Sequence, residues 1–197
     1  MEEKRIHLAI DIGASSGRHI IGYWNGKEIC TEEIYRFPNG VKEEKGHLVW
    51  DVDALLEEVT KGIELSAAKY KVTSLAIDTW GVDYVLMNGE SVIYPVYAYR
   101  DHRTEESVKS VHSIIPFSSL YSRTGIQEQS FNTIYQLFWD FKNGRLEEAS
   151  DFLMIPEYLS YRLTGNKVKE YTNGTTTGLV DINTSQFDRK IISSLSL

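Results

Sequence analysis

The sequence predicts an α/β domain in which a mixed β-sheet is flanked by helices. Two observations predict it. Three β-type runs joined by tight turns open the chain, and a helix of clear 3.6-residue period follows before the next strand. Ile6–Ile12 is a nearly continuous apolar run and reads as a central strand. Residues 18–24 form a second strand, ended by Asn25-Gly26, a strong two-residue hairpin signal. Residues 28–37 alternate β-branched and aromatic side chains with polar ones and complete an antiparallel meander. Residues 38–46, rich in glycine and charge, read as a loop. Asp51 or Asp53 then caps a helix over 51–70, with Leu55, Leu56, Val59, Ile63 and Ala67 at helical spacing.

Further along, residues 73–77 and 84–87 read as buried strands. Residues 103–111, 118–123, 133–143 and 147–149 read as helical, and 152–155 as a short strand. Pro156 sits in the first turn of another helix that runs to Leu163, where its missing N–H is tolerated. Residues 173–177 are polar and turn-like, and 185–197 begin a helix with no obvious cap. The order β-β-β-α-β differs from the βαβαβ opening of a dinucleotide-binding fold. It is the opening order of the ribonuclease-H/actin-like ATPase domain. No internal repeat, low-complexity tract or linker divides residues 1–197. They read as one domain whose end is not clean, which suggests part of something longer.

Composition narrows the function classes. The chain has 197 residues, 42% hydrophobic and 25% charged, which is ordinary globular composition. A net charge of -7 with no basic block argues against nucleic acid as a partner. Cys30 is the only cysteine, so disulfide scaffolds and cysteine-based zinc sites are excluded within the chain, and a cytoplasmic location is the natural reading. No run of 18 apolar residues signals a membrane span.

Two segments carry chemistry. The first is Asp11-Ile12-Gly13-Ala14-Ser15-Ser16-Gly17-Arg18. Consecutive backbone N–H groups in a tight turn, with serine hydroxyls, can hold a phosphate, and glycines let the backbone approach. Arg18 adds a charge-assisted contact, and Asp11 at a strand end can hold Mg²⁺ directly or through its waters. The bland alternative is a hairpin turn with a capping Asp. The second is Asp78-Thr79-Trp80-Gly81-Val82-Asp83, lying between two apolar runs. Carboxylates at a buried strand end must be solvated, bonded or paired. Such a place suits a polyol: carboxylates accept from hydroxyls, an aromatic face stacks on a carbon skeleton, and a glycine admits close approach. The bland alternative is a bulge with Asp78 satisfied by backbone donors and Trp80 in the core. A third cluster, Tyr99-Arg100-Asp101-His102-Arg103-Thr104, reads best as an Arg–Asp network with Asp101 as an N-cap. No histidine pair has metal-ligand spacing, and no GxSxG elbow marks a hydrolase.

At these residues the chain resembles the FGGY carbohydrate kinases. The first segment is similar to the phosphate loop of the whole family. The second, with Tyr99-Arg100-Asp101-His102-Arg103-Thr104, resembles the L-rhamnulose kinase branch. Arg36-Phe37 with Asn39-Gly40, Trp50-Asp51-Val52-Asp53, Phe131-Asn132-Thr133, Tyr135-Gln136-Leu137, Tyr161-Arg162-Leu163-Thr164-Gly165, and Glu170-Tyr171-Thr172-Asn173 with Thr175-Thr176-Thr177 agree with that branch, so the resemblance spans nearly the whole chain. It implies a two-domain kinase moving the γ-phosphoryl of ATP, with Mg²⁺, to the primary hydroxyl of L-rhamnulose bound between the domains. Gly13, Ala14, Ser15, Ser16, Gly17 and Arg18 then meet the nucleotide phosphates. Asp11 faces the metal. Gly81 matches the family's sugar-contacting glycine, and Trp80 and Asp83 join it by chemistry and adjacency. The family's general base is an aspartate of a later His-Asp-Thr-like motif, and the second domain builds most of the adenosine pocket. The chain stops before both, so no catalytic residue is expected within it. Kinases for fuculose or xylulose, and a non-catalytic actin-like ATPase or sugar sensor, are the competing readings.

Overall fold

The computed structural model describes residues 5–197. Its elements run β1 (Ile6–Ile12), β2 (Ser16–Trp24), β3 (Ile29–Pro38), β4 (Lys42–Glu44), β5 (His47–Trp50), α1 (Val52–Lys69), β6 (Ser74–Thr79), β7 (Tyr84–Asn88), β8 (Ser91–Val92) and β9 (Val96–Tyr97). A 3-10 turn (His102–Thr104) leads into α2 (Glu105–Ile114), α3 (Phe117–Thr124) and α4 (Thr133–Lys142). Then come β10 (Asp151–Met154), α5 (Ile155–Thr164), α6 (Tyr171–Thr175), β11 (Val180–Asp181), β12 (Gln186–Phe187) and α7 (Arg189–Leu195).

The principal sheet has the order β3-β2-β1-β6. β1 pairs antiparallel with β2 and parallel with β6, so the sheet is mixed, as the opening meander predicts. Leu8, Ile10 and Ile12 of β1 are buried while His7 and Ala9 are exposed, so one face of the sheet packs and the other is open. α1 covers the packed face. Asp51 is its N-cap, accepting from Ala54 N at 2.9 Å. The residues it turns inward are Val52, Leu55, Val59, Gly62 and Ser66. The expected apolar stripe therefore gives way to small residues in its second half. The reason is His19 of β2, whose ring lies 2.3 Å from where a Gly62 Cβ would stand. Its Nε2 also meets Val59 O at 3.0 Å.

Two apolar cores share a wall. β7 is buried on both faces, sending Val85 and Met87 into the core under α1 and Tyr84 and Leu86 into a second core with α2, α4 and α7. That explains its unbroken apolar run.

Five expectations need correction. The 38–46 loop contains β4, joined to β5 by a turn at Lys45 and Gly46 with φ of 51° and 82°. Residues 147–149 form turns and bends, not a helix. Residues 171–175 are helical, capped by Glu170. α7 does have a cap, Asp188, which accepts from Lys190 N and Ile191 N. β6 departs from its reading as a buried strand. Ser74, Leu75 and Ala76 are exposed, because β6 is the sheet's outer strand among the described residues. No helix among the described residues is long and apolar enough to cross a membrane.

Candidate functional site

The two sequence segments meet because β1 and β6 are parallel neighbours. Ile12 lies opposite Thr79, so the turn after β1 and the turn after β6 leave the same end of adjacent strands. Carboxyl ends of parallel strands are where ligands bind in open α/β sheets.

In the first turn the carbonyls are tied back. Gly13 N donates to Ser16 O at 2.9 Å. Asn39 Nδ2 donates to Gly13 O at 2.8 Å, and Asn39 N donates to Ser15 O at 3.0 Å. The N–H groups of Ala14 and Ser15 have no protein acceptor among the described residues. A turn with its carbonyls satisfied and its donors free favours an anion. Asn39, which in the sequence carried only family resemblance and no assigned role, holds it. Gly13 opens to free space beyond Ser16 O, whereas Gly17 does not. A Cβ at Gly17 would lie 2.1–2.7 Å from the buried ring of Phe37, so this glycine serves packing between β2 and β3.

Below the turn, Arg36, Arg18, Asp11 and Asp78 stand opposite one another on β3, β2, β1 and β6, a row across the open face. Arg18 Nε and Nη2 both donate to Asp11 Oδ2, at 2.8 and 2.6 Å. Asp11 Oδ1 has no protein donor among the described residues. No group of three His, Cys, Asp or Glu side chains able to hold a metal occurs among the described residues. One carboxylate oxygen beside an anion-binding turn fits Mg²⁺, which keeps most of its waters and takes one or two carboxylates plus substrate phosphates.

The second turn divides into an inner and an outer half. Asp83, expected beside the sugar, is fully buried. Its Oδ2 accepts from Trp50 Nε1 (2.6 Å), Trp80 Nε1 (2.9 Å) and Tyr99 N (3.0 Å), and its Oδ1 from Gln136 Nε2 (3.2 Å). Burial, the largest influence, pushes this carboxyl up to about 6, against the pull of those four donors. Trp80 is half-buried and lies on Trp50 with ring centroids 4.1 Å apart. Gly81 is half-buried too, and the space a side chain would enter is held by Thr176, 3.1–3.3 Å away. Val82 has φ of 66°, a left-handed backbone that β-branched residues avoid.

The third cluster is structural, as its plain reading expects. Asp101 accepts from Arg103 N at 3.0 Å and Leu48 N at 2.8 Å. Arg103 lies over the Tyr97 ring and donates to Gln136 Oε1 at 2.6 Å, which links this cluster to Asp83. Gln136, Thr133 and Thr176 lay in stretches that resemble the family but gave no signal of a role. A concavity lined by Arg5, His7, Tyr23 and Trp24 is at the opposite end of β1.

The mixed sheet flanked by helices is that of the actin-like ATPase class. Residues 6–197 match the N-terminal domain of the FGGY family of carbohydrate kinases, and the chain belongs to that family. A rhamnulokinase of Mannheimia succiniciproducens is 44% identical over 196 residues, covering 96% of this chain and 40% of the relative. That of Halalkalibacterium halodurans is 45% identical over 192 residues, covering 95% and 41%. The chain thus spans about two fifths of the length of these relatives. Among solved structures, a xylulose kinase from Lactobacillus acidophilus superposes with a TM-score of 0.85 at 18% identity, covering 98% of this chain and 40% of that one. A gluconate kinase from the same organism gives 0.84 at 18%, covering 99% and 40%. These two show the fold.

Proposed function

We propose that this chain is the N-terminal domain of a cytoplasmic, ATP-dependent kinase that phosphorylates the primary hydroxyl of L-rhamnulose. One observation carries the reading. An anion-binding turn and a Trp-Gly turn leave adjacent parallel strands side by side, so phosphate and acceptor meet at one sheet end. Rhamnulokinases 39–45% identical over nearly the whole chain supply the sugar.

The N–H groups of Ala14 and Ser15, with Gly13, Ser16 and Arg18 around them, receive the ATP phosphates, while Gly17 packs the strand beneath them on Phe37. Phosphoryl transfer depends mostly on such positioning and charge neutralisation. Asp11 Oδ1 takes Mg²⁺, which supplies positive charge against the developing negative charge of the phosphates. The exposed part of Trp80 stacks on the sugar skeleton, and the Gly81 backbone lines the approach. Asp83 contributes from beneath by fixing the Trp80 indole. The general base and most adenosine contacts come from a second domain outside this chain.

A substrate panel on the intact protein decides between sugars. With Mg-ATP, L-rhamnulose is the expected preferred acceptor over L-fuculose, D-xylulose and glycerol. Preference for another ketose would move the protein to a sister kinase. Sugar binding without phosphorylation of any acceptor would favour a sensor.

A further inference from the structure

Val82 is the most improbable backbone on this site. A β-branched residue at φ of 66° is strained and persists only where its surroundings over-determine it. Three side chains do so. Thr133 Oγ1 donates to Val82 O at 2.7 Å, and Gln136 Nε2 donates to the same oxygen at 3.2 Å. Thr176 Oγ1 accepts from Val82 N at 3.1 Å and donates its own proton to Asn173 O at 2.7 Å. Both polar groups of one residue are thus fixed by segments far along the chain.

The three clamps are not equivalent. Thr133 and Gln136 are buried, whereas Thr176 is half-exposed at the rim where Gly81 surfaces. The Thr176 side chain also fills the space a Gly81 side chain would take. Its own seat is firm. It follows α6, which Glu170 caps through Thr172 N and Asn173 N at 2.8 and 2.7 Å, and Glu170 N donates to Glu157 Oε1 at 2.7 Å.

We propose that Thr176 is a positioning residue for the acceptor sugar: its hydroxyl holds Val82 left-handed and so sets the Gly81 backbone and the Trp80 ring against the substrate. This rests on the sugar-kinase reading above. Without the hydroxyl, Val82 N loses its acceptor and the turn relaxes toward an ordinary conformation. The sugar contacts then shift, while the phosphate turn, held by Asn39, does not.

The test pairs Thr176→Val, which keeps the shape and removes the hydroxyl, with Thr176→Ser, which keeps the hydroxyl. In the intact protein, Thr176→Val should raise the sugar KM roughly tenfold, the scale of one lost hydrogen bond. The ATP KM should stay within about twofold. Thr176→Ser should restore the sugar KM. An unchanged sugar KM in the Val variant overturns the proposal, as does a Ser variant as impaired as Val. A second readout needs no substrate. With far-UV circular dichroism unchanged, Thr176→Val should alter the near-UV signal of the Trp50–Trp80 pair, and Thr176→Ser should not. If the wild-type protein phosphorylates none of the sugars, the functional reading fails, and this signal still decides the clamp. An unaltered signal in the Val variant would sink it.

Discussion

At Asp83 a carboxylate cut off from solvent meets four N–H donors. Such a cage is built for the ionised form, yet burial raises the carboxyl from 3.8 to about 6. The sign follows from proton binding. Between about pH 4 and 6 the folded state holds more protons at this group than the unfolded state does, so its contribution to stability falls as pH rises through that window. Above pH 6 the full cost applies, on the order of 3 kcal/mol. Asp83→Asn places an amide among donors, and Gln136 cannot turn its oxygen to meet it without releasing Arg103. We expect this variant to lose about 1–3 kcal/mol at pH 7. Its deficit relative to wild type should grow as pH is lowered toward 4, because only wild type gains from protonation. Denaturant titrations at pH 4.5 and 7 measure both, and a pH-independent deficit would show that Asp83 has no raised pKa.

At the element scale, β2 and β3 are joined by more than their ladder. The Phe37 ring occupies the space over Gly17, and β2 is the strand that carries Arg18 to Asp11. Gly17→Ala would drive a methyl into that ring, at a backbone conformation alanine otherwise tolerates. The expected cost is that of overpacking, about 1–3 kcal/mol, read as a lower denaturation midpoint at unchanged slope. A variant as stable as wild type, with only ATP affinity reduced, would mean the glycine serves phosphate approach instead. The asymmetry between the two loop glycines follows from the pleat: Gly17 points into the packed face, while Gly13 precedes the strand and faces solvent.

For the whole molecule, the site is a sheet end rather than a cleft. Trp80, Gly81, Ser15 and Arg18 all keep exposed surface, and β6 leaves Leu75 42% exposed. A water-excluding site needs a facing body, and the family resemblance implies a general base from a later segment. Loss of a positioned base alone typically costs on the order of 10²–10⁴ in rate. We therefore expect the purified 197-residue chain to show no measurable sugar-dependent ADP release with L-rhamnulose and Mg-ATP in a coupled assay. Turnover near that of an intact kinase would place the base within this chain, with exposed Asp78 the first candidate.

The local signals settled the elements whose period or punctuation is strong. β1 to β3, α1 with its Asp51 cap and the proline-led α5 follow from alternation, capping and turn chemistry over a few residues, while the hairpin expected at Asn25-Gly26 opens into a wider connection over 25–28. The 11–18 and 78–83 segments were legible as unusual for the same reason, since polar and small residues interrupt apolar runs. Partners distant in sequence were not legible. Asn39 reaches the first turn across 26 positions, and Thr176 reaches Val82 across 94. Neither residue type announces such a bond. The inward turn of Asp83 was equally hidden, because it depends on β7 being walled by two cores and on Val82 reversing the backbone just before it. Short-range patterns fix what a segment becomes, and packing alone decides which of its groups face a neighbour and which remain free for a ligand.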